Sequence, residues 1–139
     1  MYRFNQAWLL DPKNENVFWG FASIYFNFDD YENAMKQLDE GLLLNPKSSK
    51  IITDKATIHL TLFQSRNDPK ELAIANDLFT QSYLIDPENQ VTLFKLSISY
   101  FLKNDCENAL KYYRECKALG GRSLSPEYIQ AIDKMCANK

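Results

Sequence analysis

The sequence predicts an all-α protein, an α-solenoid of about three helix-turn-helix repeats, and three observations carry that expectation. Pro12, Pro46, Pro87 and Gly121 close similar stretches at intervals of 34, 41 and 34 residues. A period near 34 marks units that stack on one another instead of closing separate cores. Within each interval apolar residues recur at three- and four-residue steps, which is the spacing of one helix face. Only four glycines and five prolines occur, and nearly all stand between the periodic segments. All 139 residues are expected to form a single superhelical domain.

Tyr2 to Leu10, leading into Asp11-Pro12, reads as the tail of a helix, so residues 1–12 are expected to end a truncated repeat of a longer parent. The first full repeat is expected over 13–46. From Glu15 to Phe28 nearly every residue is apolar, and a helix apolar all round must be covered on more than one side. Asp29-Asp30 breaks it. Tyr31, Ala34, Leu38, Gly41 and Leu42 then form the apolar stripe of an outer, amphipathic helix that Asn45-Pro46 ends.

The second repeat, over 47–87, is longer by seven residues, expected within Phe63–Lys70. Thr57 to Leu62 alternates with period two and is β-branched, which taken alone suggests a strand. The repeat phase favours helix, because Ile52, Ala56, Ile58 and His59 fall 34 residues after Phe18, Ala22, Ile24 and Tyr25. Asp68-Pro69-Lys70-Glu71 starts the next helix with a capping residue, a first-turn proline and an acid. The third repeat, over 88–121, places Leu93, Leu96, Ser97 and Tyr100 on one stripe and Ala109, Tyr113 and Cys116 on the next. Gly120-Gly121 closes it as a C-cap. Ser125-Pro126-Glu127 opens a terminal helix over 124–137, the cap that a stacked array needs.

Composition narrows the function classes. Formal charge is −2, from 16 basic and 18 acidic residues, so no nucleic acid or other polyanion is implied as partner. No run of 18 apolar residues spans a membrane, and the start lacks the regions of a signal peptide. The compartment stays open between cytoplasm and export. Cys106, Cys116 and Cys136 have no zinc-type spacing. They read either as small core residues or as a Cys116–Cys136 disulfide tying the last repeat to the terminal helix.

These residues resemble the tetratricopeptide repeat family over most of the chain. That family's first helix bears an aromatic, a large apolar residue, a small residue and a Tyr. Its second helix bears a small, a bulky and another small residue before a closing Pro. Phe18, Phe21, Ala22, Tyr25, Ala34, Leu38, Gly41 and Pro46 match in the first unit. In the third unit the matches are Leu93, Leu96, Ser97, Tyr100, Ala109, Tyr113 and Cys116, with Gly121 for Pro. Ile52, Ala56, Ala75, Phe79, Ser82 and Pro87 match in the second, where Lys55 replaces a large apolar residue and His59 stands for Tyr.

The resemblance implies a right-handed superhelix whose first helices line a concave groove for a peptide or a partner's helix. The helix stripe left free by packing within repeats is Asn16, Trp19, Ser23, Phe26 and Asn27 in the first unit. In the second it is Lys50, Thr53, Thr57, Leu60 and Thr61, and in the third Val91, Phe94, Ile98, Phe101 and Leu102, with Lys95 beside them. The expected groove is aromatic at both ends and hydroxylated in the middle, suited to an apolar anchor and backbone hydrogen bonds. Upstream repeats or a second copy of the chain are the alternative cover for Trp19 and Phe26. Relatives that clamp the acidic C-terminus of heat-shock chaperones use Lys, Arg and Asn here. Trp19 and Ser23 occupy those turns instead, and only Lys50 and Lys95 could meet a carboxylate, so that specificity is not expected.

No Gly-rich phosphate loop, metal-ligand spacing or acid–base constellation occurs, and His59 falls on the core stripe. The chain is therefore expected to be a non-enzymatic protein-binding module without cofactor or metal. The alternative is a segment that associates with itself, as a homodimer, or with the rest of its parent chain. An inhibitory subunit that occludes an enzyme would look the same as the first in sequence.

Overall fold

The computed structural model describes residues 15–137, and every described regular element is helical. Helices α1 (Glu15–Asn27) and α2 (Tyr31–Leu44) form one antiparallel hairpin, α3 (Ser49–Arg66) and α4 (Pro69–Ile85) a second, and α5 (Gln90–Leu102) and α6 (Cys106–Ala118) a third. A short α7 (Pro126–Ile132) continues into a π turn, Asp133–Ala137. The expected partial repeat over 1–12 lies outside the described residues. None of the described helices is long and apolar enough to cross a membrane.

The turn inside each hairpin is built alike. Asp29, Asn67 and Asn104 take the left-handed conformation, with φ of 59°, 56° and 63°. Asn and Asp reach this region more readily than other residues with a Cβ. The Asp that follows caps the next helix: Asp30 accepts from the Asn33 amide, Asp68 from Lys70 and Asp105 from Asn108. Ser48 and Asn89 cap α3 and α5. After α6, Gly120 and Gly121 have φ of 120° and 67°, and the Gly121 amide returns to the Cys116 carbonyl.

Small residues let the helices approach. Ala34, Ala56, Ala75, Ala109, Ser82 and Ser97 are each 0% exposed, and Phe79, Leu93 and Leu96 fill the space beside them. The buried residues form one cluster across α1–α3, a larger one across α3–α6 and a third joining α6 to α7. Between the second and third hairpins runs a seam of hydroxyls. Thr53 Oγ1 lies 2.6 Å from Ser82 Oγ and 2.7 Å from Thr92 Oγ1, and Ser82 Oγ donates to the Ser49 carbonyl at 2.9 Å. Mutual bonding satisfies groups that would otherwise be costly to bury.

The alternating Thr57–Leu62 segment is helical throughout. The second hairpin is long because its helices are: α3 has 18 residues against 13 in α1, and α4 has 17 against 14 in α2. Lys55 leaves the core and pairs with Asp39 of α2 at 2.9 Å. His59 is half-buried, with Nδ1 2.6 Å from Glu71 Oε2.

The cysteine pairing corrects the sequence expectation. The disulfide joins Cys106 to Cys136, not Cys116 to Cys136. Cys116 is free and fully buried, occupying on α6 the place that Ser82 has on α4, and its Sγ contacts the Gln90 carbonyl at 3.6 Å. Cys106 opens α6 beside the turn that carries Cys136, whereas Cys116 lies nearly three turns further along and faces α5.

Candidate functional site

Three helices, α1, α3 and α5, bring the first members of each hairpin to a shared cavity of about 200 Å3. Trp19, Ala22, Ser23, Phe26 and Asn27 of α1 form one side, with Leu38 of α2 behind them. Asp54, Thr57 and Ile58 of α3 form the other, and Lys95 of α5 closes the end. The spacing of 19, 22, 23, 26 and 27 is one face of a helix, as is that of 54, 57 and 58.

Polar contacts fix the walls. The Trp19 indole Nε1–H donates to the Asp54 carboxylate, which orients the ring. Lys50 Nζ stands 3.7 Å from the centroid of the same ring, one turn before Asp54. Lys95 Nζ donates to Thr57 Oγ1 at 2.9 Å. The hydroxyls of Ser23, Thr57 and Thr61 each donate to a carbonyl four residues back on their own helix, at 3.0, 2.8 and 2.9 Å. They offer a ligand acceptor lone pairs only. Burial holds the Asp54 carboxyl above its ordinary range, against the Trp19 bond and the attraction of Lys95 and Lys50. Burial likewise holds the Lys95 ammonium below its ordinary range, against the attraction of Asp54.

Of the groove residues expected from sequence, Trp19, Ser23, Phe26, Asn27, Thr57 and Lys95 line this cavity, and Lys50 lies over the Trp19 ring at its rim. The side chain of Asn16 lies outside those described. Thr53 corrects the expectation: it is 2% exposed and belongs to the hydroxyl seam, and Leu60, 6% exposed, is core. Thr61 is half-buried and does not line the cavity. The third stripe is also different from the one expected. Phe94 and Phe101 pack on Tyr128 of α7, with ring centroids 5.5 and 5.7 Å away, and Ile98 joins the same cluster. The aromatic residues at the cavity are therefore Trp19 and Phe26 of α1, while Phe94 and Phe101 of α5 pack against α7.

Asp54 was missed by the sequence argument. Its signal is the stripe Lys50–Asp54–Thr57–Thr61 at steps of four, three and four, one position out of phase with a stripe through Thr53 and Leu60.

No family model matches the sequence, and no curated protein matches it. Solved structures do match. The first TPR domain of human RPAP3 is similar with a TM-score of 0.76 at 17% identity, covering 91% of this chain and 95% of that one. The TPR2B domain of yeast Sti1, solved in complex with pHsp70, gives 0.73 at 13% identity over 89% of this chain and 96% of that one. MamA gives 0.69 at 13% identity over 97% and 79%. Identity this low speaks for the fold alone, and with the paired helices above it shows that this chain has a tetratricopeptide-like repeat fold.

Proposed function

We propose that the chain is a non-enzymatic protein-interaction module that holds a peptide or a partner's helix along the inner wall made by α1, α3 and α5. The observation that carries this reading is the cavity shared by these three helices, with an oriented Trp19, a half-buried Phe26 and two half-buried charges around an apolar floor. Apolar walls with a few fixed polar groups are what peptide anchors use. Structures with this fold include the first TPR of Spaghetti (RPAP3) bound to the HSP90 peptide SRMEEVD, and the Sti1 domain in its pHsp70 complex. Those precedents support a peptide ligand in general. The acidic tail as such is disfavoured here, because Asp54 stands inside the cavity.

The test is capture of peptides from a random-sequence display library by the immobilised chain, compared with Trp19→Ala. Enriched peptides that lose at least tenfold in affinity for the variant, at unchanged helicity and mass, support the reading. Enrichment indifferent to Trp19 overturns it. Self-association is the second reading, favoured by Leu43 and Leu84, which stand 78% and 75% exposed at the same place on α2 and α4. Sedimentation showing a concentration-dependent dimer that Leu43→Glu dissolves would favour it instead.

A further inference from the structure

Asp54 and Lys95 enter the groove cavity with most of their hydrogen-bonding capacity unused. The Asp54 carboxylate accepts one bond, from Trp19, although such a group has about four lone-pair sites. The Lys95 ammonium donates one bond, to Thr57, although it carries three hydrogens. The two are not an ion pair: the Lys–carboxylate pairs among the described residues are Lys36–Glu32 and Lys55–Asp39. An acceptor and a donor thus line one cavity with a gap between them wider than 4.0 Å.

We propose that this cavity is a subsite for a neutral carboxamide, the side chain of an Asn or Gln in a bound peptide. Its NH2 donates to Asp54 and its C=O accepts from Lys95. The inference rests on the peptide-binding reading above and adds the chemistry of the residue selected. A carboxylate placed there can pair with Lys95 but meets Asp54 at like charge, and an ammonium can pair with Asp54 but meets Lys95. An aliphatic side chain leaves both groups desolvated and unsatisfied, which is the costly arrangement. A group with a donor and an acceptor side by side, and no net charge, satisfies both without a like-charge contact. Burial already disfavours the charged form of each residue, so the subsite gains by adding hydrogen bonds and not a third charge. Size agrees: about 200 Å3 is below the ~300–1,000 Å3 of small-molecule sites and suits one side chain. The lining also includes Leu38 of α2, which adds apolar surface for the stem of a side chain.

The test is a titration of the intact chain, followed by the indole NH resonance of Trp19, with four blocked amino acids. These are the N-acetyl N′-methylamides of glutamine, glutamate, lysine and norleucine. The glutamine probe is expected to shift the resonance saturably, and the other three to bind roughly tenfold more weakly or less. Asp54→Asn, which keeps an acceptor for the indole, should raise the glutamate probe to the level of glutamine, and Lys95→Met should do so for lysine. Saturable binding of all four with no order between them overturns the subsite and leaves the groove standing. Absence of any Trp19 shift overturns the subsite, and loss of library capture in Trp19→Ala then shows whether the groove reading survives it.

Discussion

Asp54 illustrates how a single side chain can work against the fold that holds it. Its carboxyl keeps a proton to higher pH in the native state than in the unfolded chain, chiefly because burial disfavours the charge. The groups facing it, Lys50, Lys95 and the Trp19 N–H, offset this only in part. The native state therefore binds more protons than the unfolded state above the ordinary value of 3.8, and stability falls as pH rises through the native pKa. Above the native pKa the whole of that penalty is present. Asp54→Asn should accordingly unfold at higher urea concentration than the parent at pH 7, with the gap closing as pH approaches 3. An unchanged midpoint at pH 7 would contradict the account. Residues that destabilise a fold while lining its cavity are commonly retained for binding. Asp54 escaped the sequence argument because helix phase is ambiguous by one position when Thr53 and Asp54 are both polar. Which of the two is buried depends on Ser82 and Thr92, hydroxyls that reach Thr53 from α4 and α5. No local pattern in α3 announces such partners.

At the scale of elements, most of what the sequence offered was legible. The Asp-Asp and Asn-Asp pairs at 29–30, 67–68 and 104–105 act locally, one residue turning the chain and the next capping the helix. The small residues of each hairpin stand where the period puts them. The terminal helix was legible as an element but its reach was not, since Tyr128 packs on Phe94, Phe101 and Tyr113 together. With 7 residues α7 is far below the length at which a helix persists alone. It is held by burial of Tyr128 and Ile132 and by the Cys106–Cys136 disulfide. The bridge spans 30 residues, and chain-entropy arguments give about 3–4 kcal/mol for such a loop. Reduction with a dithiol, or Cys136→Ser, should lower stability toward unfolding by an amount of that order. Amide exchange should then quicken first over residues 126–137, before α5 and α6 respond. Equal protection of those amides with and without reductant would show that packing alone retains the cap.

For the molecule as a whole, stability should be graded along the stack. In a solenoid each hairpin is supported by its neighbours, so the total is close to a sum of local and interface contributions. Among the described residues the largest buried cluster spans α3 to α6, and it contains Phe79, Leu93 and Leu96 at 0% exposure. The same region holds the hydroxyl seam of Ser49, Thr53, Ser82 and Thr92, whose bonds join the second hairpin to the third. Among the described residues the cluster shared by α1, α2 and α3 is smaller, and its large aromatics, Trp19, Tyr25 and Phe26, are only half-buried. Sub-global opening follows such differences, because the free energy of exposing a segment tracks the apolar contacts it loses. Hydrogen exchange at increasing urea should therefore show α1 and α2 opening at lower denaturant than α4 and α5, with the α1 amides merging last into the global transition. A ligand seated in the groove bridges α1 to α3 and α5, so a captured peptide should raise protection in α1 more than in α4. Uniform exchange across the helices would contradict the graded stack, and protection on binding confined to α6 and α7 would show that the inner wall of α1, α3 and α5 does not act as one surface.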